Sequence, residues 1–370
     1  MRERNSNFEI LRIASMFLIV LHHFSVHGVA NAGNFDRFLG GSANILMSEL
    51  LASLGKVAVI VFVFISGFYL IKSKFKLQRI ISLIWNIFFY SVIILIFSYV
   101  ILGGNISVKD VIVSFFPTTY GEYWFITDYV LLMVFTPFIN KFMLENSKRG
   151  NQYYLFVLIL VSSLLPTLFV KSALSNNELL LFLLFYSIGA YVRLYVGNND
   201  DKHLRKIAKK YLYLGMLMIF GGIVVLNILA VLSKKTAFVS LGMHLIALDS
   251  IFTLILAIGL FLYVVTLPPF TNRYINLIAK SALAVYIISD NPLIRSVIWQ
   301  KIFHVRSLAY KLGSIQLMFY AICITSIIYI ICTLIDILKT KTLDKVVAPV
   351  PWITKKIETL WLSLAKKFIH

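Results

Sequence analysis

The stretch LRIASMFLIVLHHFSVHG, residues 11–28, is strongly apolar, yet it contains four side chains that handle protons or anions. Arg12 lies near its start, and His22, His23 and His27 lie near its end. A neutral imidazole accepts a proton from a hydroxyl near pH 7, and a guanidinium is a natural partner for phosphate. These residue types therefore predict a site that combines a general base with an anion-binding group.

Arg12 and His23 share one face of the stretch if it is helical, because eleven residues make about three turns and rise about 16 Å. Glu9 and His27 lie close to the same face, whereas His22 is turned away by about 100°. An arginine or imidazole in hydrocarbon costs a few kcal/mol, so such residues usually face the protein interior or water. The stripe therefore predicts a polar path from one leaflet towards the other.

Each side chain of this stripe also has a structural interpretation, which the sequence leaves open. Arg12 can extend to the lipid headgroups or pair with Glu9 one turn earlier. A single histidine in a helix is more often a packing residue than a base. The combination of these residues on one face favours the functional interpretation.

The composition places these residues in a lipid bilayer. Of 370 residues, 59% are hydrophobic and 14% are charged, and the mean hydropathy is +0.86, far from the balance of a soluble domain. Windows of about 20 apolar residues predict an all-α polytopic membrane protein with about ten transmembrane helices. The predicted spans are 8–28, 47–71, 80–103, 124–143, 152–170, 178–196, 211–232, 244–265, 275–298 and 315–338.

The positive charges are distributed unevenly between the two sides of the predicted membrane domain. The chain has 35 Lys and Arg against 16 Asp and Glu, a net charge of +19. With the predicted spans, 24 of the 35 lie on the side of the N-terminus, 9 lie on the other side, and Arg12 and Lys56 lie within spans. The positive-inside rule then places both termini in the cytoplasm. Because no soluble basic domain remains, we expect no nucleic-acid binding.

The chain divides into a transmembrane domain, residues 1–340, and a short tail, residues 341–370. The tail sequence WITKKIETLWLSLAKKFIH has apolar residues on one helical stripe and lysines opposite. This pattern predicts a cytoplasmic amphipathic helix that lies along the membrane lipid.

Further motifs follow the Arg12-x10-His23 pair in order along the chain. They are Ser66-Gly67-Phe68, the basic loop residues Lys76 and Arg79, and Tyr123-Trp124-Phe125 followed by Pro137 and Asn140. In this order they resemble the acyltransferase family 3 membrane proteins, in particular the bacterial polysaccharide O-acetyltransferases. The resemblance extends from residue 8 to about residue 300. One departure is Ser289 before Asp290, where many relatives have a histidine, so a role for a second histidine there does not carry over.

The resemblance implies a fold of ten helices with both ends inside and an acyl transfer across the membrane. The donor would be cytoplasmic acetyl-CoA. The acceptor would be a hydroxyl of a surface polysaccharide or of a lipid-linked glycan. The location implied is the bacterial cytoplasmic membrane, and no metal is predicted. The acyl group, the glycan and the hydroxyl stay open.

His23 and Arg12 are the predicted catalytic residues. His23 would act either as the general base that deprotonates the acceptor hydroxyl or as a transient acyl carrier. Arg12 would orient the donor or balance its charge. Lys76 and Arg79 would bind the phosphates of coenzyme A together with Arg12, and Lys72 and Lys74 lie in the same basic loop where the phosphates would dock. Orientation of the membrane domain by the positive-inside rule is the alternative role for these four basic residues.

The predicted acceptor-binding residues are Tyr123, Trp124, Ser66 and Asp128. The two aromatic residues would form a platform for a sugar ring, although an interfacial aromatic belt explains them equally well. Ser66, Tyr123 and Trp124 are also candidates for donating a hydrogen bond to an oxyanion. Asp290 interrupts an apolar run and is therefore expected to line a cavity.

A carrier or flippase for a polyprenyl-linked glycan is the main alternative function. Transporters often contain internal repeats and helices broken by Gly or Pro at matched positions. The sequence shows neither feature, and the outer loops are too short for a glycan polymerase. The order of the motifs favours the acyltransferase.

Overall fold

The structure is a computed structural model that describes residues 4–30, 42–101, 103, 106–121, 123–170, 172–196, 201–343, 356 and 359. Within these ranges the chain forms α-helices with short π-helical turns and contains no β-strand. The predicted amphipathic tail lies almost entirely outside the described residues.

The helices are long and connected mostly by short segments. In chain order they are α1 (Ser6–Val29), α2 (Ser42–Leu70), α3 (Leu77–Val100), α4 (Val108–Phe115), α5 (Trp124–Glu145), α6 (Lys148–Leu168), α7 (Glu178–Val196), α8 (Lys202–Ser233), α9 (Ala237–Leu245), α10 (Ile251–Val265), α11 (Arg273–Ser289), α12 (Pro292–Lys311) and α13 (Ser314–Thr342).

The prediction of an all-α polytopic membrane protein is confirmed. Within the described ranges, eight helices are long and apolar enough to cross a bilayer, and α11 with α12 makes a ninth crossing if the bent pair is one span. The predicted span 244–265 corresponds to α10, which has 15 residues and is shorter than a full crossing. The count of ten therefore includes one short helix and one broken helix.

The break between α11 and α12 bends the chain by 73°. Pro292 is the first residue of α12, where a missing N–H is tolerated, and Asn291 caps the helix by accepting from the backbone N–H of Leu293 at 2.9 Å. The sequence argument expected no such break. Among the described residues it is the only bent pair, without a counterpart at a matched position elsewhere.

Contacts at the helix ends define two sides of the bundle. On the near side, where α1 begins, the Ser6 backbone N–H donates to the Phe270 carbonyl at 2.8 Å. On the far side, the Asn44 side chain at the start of α2 donates to the Ala309 carbonyl at 3.0 Å. We use near side and far side in this sense below.

Helix α2 lies at the centre of the bundle, and the glycine of its Ser-Gly-Phe motif permits its closest helix contact. A Cβ atom on Gly67 would lie 2.0 Å from the Tyr186 carbonyl oxygen of α7. Reciprocally, a Cβ on Gly189 of α7 would lie 2.1 Å from the Phe64 carbonyl oxygen of α2. The two backbones therefore cross in direct contact, as small residues allow in membrane helices.

Replacing Gly67 with alanine is expected to destabilise the bundle, because the added methyl meets backbone rather than a flexible side chain. Overpacking of this kind typically costs about 1–3 kcal/mol. The measurement is the Tm of the purified protein in one detergent. Gly221→Ala is the control, since its added Cβ would find its nearest atom 3.7 Å away. Equal Tm values for the two variants would contradict the proposed backbone contact.

Candidate active site

His23 lies at the end of the α-helical part of α1 and is buried. The next residues, Phe24–Val29, form a π-helical turn, a local widening that often occurs at functional sites. The rings of His23 and His27 are 5.3 Å apart across this turn. His23 Nδ1 lies 3.7 Å from Asp290 Oδ1, and His27 Nε2 lies 3.4 Å from the same oxygen. The two imidazoles therefore share one carboxylate.

The break between α11 and α12 places Asp290 beside these histidines. The Arg295 guanidinium one turn into α12 lies 3.3 Å from Asp290 Oδ1. The neighbouring Asn291 amide donates to the Tyr123 hydroxyl at 2.6 Å, and that hydroxyl donates to the Ile287 carbonyl at 3.2 Å. Tyr123 is fully buried by these contacts. It holds the broken segment in place, behind the residues that line the cavity.

A cavity of ≈ 440 Å³ opens in front of the histidines and Asp290. Its polar lining consists of His22, His23, His27, Lys56, Trp124, Tyr286, Asp290 and Arg295. Tyr286 is 3% exposed, and its ring centre lies 6.0 Å from that of His23. Its hydroxyl has no hydrogen-bond partner among the described residues. A buried phenol hydroxyl without a partner, on a residue of the cavity wall, is a candidate hydrogen-bond donor to a bound molecule.

A second cavity of ≈ 330 Å³ adjoins the first and extends to the far side. The two share His22, Lys56, Trp124 and Met243 in their walls, and the second reaches Asn176 and Glu178 at the start of α7. The Lys56 ammonium lies 4.9 Å from the centre of the Trp124 ring, a cation–π contact. The histidine cluster is therefore approached from the far side through a polar passage.

His22 connects α1 to α2 in the walls of both cavities. Its Nδ1 lies 2.8 Å from the Ala52 carbonyl oxygen, so this nitrogen carries the proton and donates. The Gly55 backbone packs directly on its side chain. Although it was expected to turn away from the stripe, it reaches the cavity walls because α2 crosses α1 closely at this point.

A third cavity, of ≈ 610 Å³, lies on the near side around Arg12. Four cationic residues line it, namely Arg4, Arg12, Lys72 and Arg193. The one carboxylate in its lining is that of Glu9, which lies 3.4 Å from the Arg12 guanidinium and 3.7 Å from that of Arg4. The excess of positive charge suits a ligand with several phosphate groups.

Lys76 and Arg79, the predicted phosphate-binding residues, are exposed beside this cavity rather than in its lining. The Arg79 guanidinium donates to the Ser73 hydroxyl at 3.0 Å, and Ser73 lines the cavity. Lys76 precedes α3 as its N-cap residue. Lys72 of the same loop does line the cavity, whereas the two lining cations that the sequence did not indicate, Arg4 and Arg193, come from other segments. Arg193 lies at the end of α7 with its guanidinium 4.9 Å from the centre of the Phe68 ring.

The near-side and far-side cavities approach each other along α1. Arg12 lines one, and Met16, one helical turn or about 6 Å of rise further along α1, lines the other. Met16 is buried and flexible in type, since its side chain has three rotatable bonds. The predicted stripe is therefore two cavities with a thin apolar barrier between them.

The other three predicted acceptor-binding residues, Trp124, Ser66 and Asp128, lie in different surroundings. Trp124 lines both far cavities. The Ser66 hydroxyl donates to the Phe62 carbonyl at 3.2 Å and lies 2.9 Å from the Tyr129 hydroxyl, between α2 and α5. Asp128 is partly buried on α5, one turn after Trp124, and is not among the residues that line the three cavities. Their roles in acceptor binding stay predictions.

His23, His27 and Asp290 also form a group whose ligand atoms all lie within 4.8 Å of one another, as a metal site requires. The same carboxylate oxygen already lies 3.3 Å from the Arg295 guanidinium, and Lys56 lines the same cavity. A divalent cation would add to positive charge that is only partly balanced, which weakens binding. The arrangement therefore favours proton transfer over metal binding.

Comparison with known proteins matches nearly the whole chain to one protein family. Residues 5–337 match the sequence profile of a family described as an acyltransferase domain. No curated protein and no solved structure matches the chain.

Proposed function

Because the chain belongs to this acyltransferase family, we propose that it is an O-acyltransferase of the bacterial cytoplasmic membrane. It moves an acetyl group from cytoplasmic acetyl-CoA to a hydroxyl of an extracytoplasmic glycan. One observation supports this assignment most strongly. A buried histidine paired with a carboxylate lies between a cationic cavity on one side of the bundle and a polar cavity on the other.

The near side is the donor side in this proposal, because the positive-inside rule assigns it to the cytoplasm. The phosphates of coenzyme A bind among Arg4, Arg12, Lys72 and Arg193. The thin pantetheine arm passes the turn between Arg12 and Met16 and brings its thioester to the histidine cavity. Only the narrow part of the donor crosses the apolar barrier, so the charged part stays at the near side.

His23 acts as the general base. Its Nδ1 faces Asp290, which leaves Nε2 for the acceptor hydroxyl. Nε2 removes the hydroxyl proton as the oxygen attacks the thioester carbon. The tetrahedral intermediate then expels the coenzyme A sulfur, which takes up the proton from the imidazolium. Asp290 is a positioning residue that stabilises the positive charge on the imidazolium during this step.

Tyr286 supplies the hydrogen bond to the oxyanion. Two of the three candidates from sequence, Tyr123 and Ser66, are less suitable because their hydroxyls already donate to backbone carbonyls. Tyr286 lines the same cavity as His23, and its buried hydroxyl has no partner among the residues described. A preorganised donor in a site shielded from water stabilises the developing negative charge effectively.

The far cavities bind the acceptor, with Trp124 as the aromatic wall against which a sugar packs. A carrier or flippase is the alternative. Broken helices in transporters come in matched pairs, whereas the described residues contain one such break. A phenol without a hydrogen-bond partner beside a histidine and a carboxylate is typical of an enzyme active site rather than of a transport path.

Replacing His23 with alanine is expected to reduce release of free thiol from acetyl-CoA by about 10²–10⁴-fold, the usual contribution of a general base. The assay uses purified protein in lipid nanodiscs with extracted surface glycan and radiolabelled acetyl-CoA. His203→Ala, an exposed histidine on α8, is the control. Undiminished transfer by the His23 variant would disprove the assignment. Labelled wild-type protein after rapid denaturation at neutral pH without acceptor, with no label on the His23 variant, would instead support an acyl-histidine intermediate. If folded wild-type protein releases no thiol, the result would favour the alternative function, a transporter or flippase for a lipid-linked glycan.

Tyr286→Phe is expected to lower kcat by about 10²–10³-fold with little change in the KM for acetyl-CoA, because the hydroxyl contributes mainly in the transition state. The matched control is Tyr329→Phe on α13, which removes another buried hydroxyl without a partner among the described residues. Its kcat should stay within twofold of wild type. Similar kcat values for both variants would show that the Tyr286 hydroxyl is structural.

The combined variant Lys72→Ala and Arg193→Ala is expected to raise the KM for acetyl-CoA about tenfold or more at nearly constant kcat, since it removes charged contacts to the phosphates. The comparison is Lys76→Ala with Arg79→Ala, which should have the smaller effect because those residues lie outside the cavity lining. Lys234→Ala on the far side is the control. The reverse order would place the phosphates at Lys76 and Arg79.

A further inference from the structure

Lys56 is a cation at the midpoint of α2 (Ser42–Leu70), inside the membrane domain. Ionisable residues at such a depth usually pair with one another or mark the path of a ligand. The Lys56 ammonium lies 4.9 Å from the centre of the Trp124 ring. It forms no hydrogen bond and no ion pair with the residues that the structure describes. Its three N–H donors are therefore left for water or for a bound molecule.

The carboxylates near this lysine are engaged elsewhere or lie too far away for contact. Lys56 belongs to the walls of both far cavities, and two carboxylates lie in the same walls. Asp290 already has the Arg295 guanidinium 3.3 Å away. Glu178 is the first residue of α7, towards the far side, and forms no ion pair with Lys56. Within the described part of the chain, no carboxylate therefore contacts the ammonium.

Binding of a sugar changes the surroundings of this ammonium. In the open passage water can hydrate it, but a glycan that packs on Trp124 displaces that water. A cation that loses its water is costly to bury unless hydrogen-bond acceptors and an opposite charge replace the water. Neutral sugar hydroxyls supply the hydrogen bonds without the charge. A carboxylate or a phosphate supplies both, in a charge-assisted hydrogen bond.

The charge of α12 is a second and independent observation. This helix begins beside Asp290 and extends to the far side, where Asn44 donates to the Ala309 carbonyl. Its charged residues are all cations, namely Arg295, Lys301, Arg306 and Lys311, and the last three are exposed. No Asp or Glu follows Asp290 in the sequence until Asp336. Membrane proteins usually concentrate Lys and Arg on the cytoplasmic side, so a basic helix on the far side favours an anionic ligand there.

We propose that the acceptor glycan is anionic and that a carboxylate or phosphate near its reacting hydroxyl binds the Lys56 ammonium. The proposal rests on the acyltransferase function proposed above and names the chemical class of its acceptor. Lys56 and His23 line the same cavity, so holding the negative group at Lys56 restricts the neighbouring hydroxyl to the space before His23. Such restriction raises the rate through proximity and orientation. The exposed cations of α12 attract the acceptor to the far side.

The first test compares three forms of the extracted surface glycan after removal of its ester groups by mild alkali. One is left untreated, one has its carboxyl groups reduced to alcohols, and one has its phosphates removed with hydrofluoric acid. Transfer from radiolabelled acetyl-CoA is measured in phosphatidylcholine nanodiscs, whose lipid carries no net charge. We expect one of the two treatments to raise the KM for the acceptor about tenfold, the loss of a charge-assisted hydrogen bond, and so to identify the anionic group. Equal KM values for the three forms would overturn the inference.

Two variants then assign the preference to Lys56. The ratio of the KM for the charge-depleted glycan to that for the untreated glycan should fall from about ten towards one in Lys56→Gln, because only the charged contact is lost. It should largely return in Lys56→Arg. The matched control is Lys109→Gln, an exposed lysine of α4 outside the linings of both far cavities, which should keep the wild-type ratio. A wild-type ratio in Lys56→Gln would contradict the assignment.

Calorimetric titration of the untreated glycan without acetyl-CoA separates this inference from the proposed function. Wild-type protein should bind the glycan about tenfold more tightly than Lys56→Gln, and its affinity should fall at high salt because ions screen the attraction. Such binding without any acetyl transfer would uphold the anionic site and count against the acyltransferase. Acetyl transfer to the glycan with equal binding by wild type and Lys56→Gln would uphold the acyltransferase and overturn the inference.

Discussion

The arrangement of the site depends on the need to place a carboxylate inside a membrane protein. An isolated charge there is costly, and Asp290 meets that cost with two imidazoles and a guanidinium around one oxygen. These partners come from α1 on one side and α12 on the other. The groups gathered around the carboxylate therefore bring the first helix and the broken one together.

Other features of the fold serve this junction. The break after α11 turns the backbone so that Asp290 reaches α1, and the buried Tyr123 hydroxyl holds the broken segment through Asn291 and Ile287. The π-helical turn brings the His27 ring beside that of His23. Direct backbone contact between α2 and α7 positions Lys56 and Glu178 near the far cavity. The geometry of the candidate site therefore depends on the packing of the helices around it.

The sequence predicted what depends on local spacing, and it missed what depends on the meeting of distant helices. Arg12 and His23 lie on one helix, so their shared face followed from helical geometry. The near-side cavity adds Arg4 and Arg193 to Arg12 and Lys72, and no local pattern relates those two arginines to the basic loop. Aromatic residues at a helix start look alike in sequence, yet Tyr123 is buried behind the cavity whereas the adjacent Trp124 lines it.

The single turn between Arg12 and Met16 has a further consequence for the cell. A continuous water-filled path through the protein would conduct ions and dissipate the membrane potential, which stores about 2.3 kcal/mol per elementary charge at 100 mV. The buried Met16 lies between the two cavities along α1, about 6 Å of helix rise beyond Arg12. In the proposed reaction, an uncharged acyl group would therefore cross an electrically insulating layer without opening a leak for protons or salt.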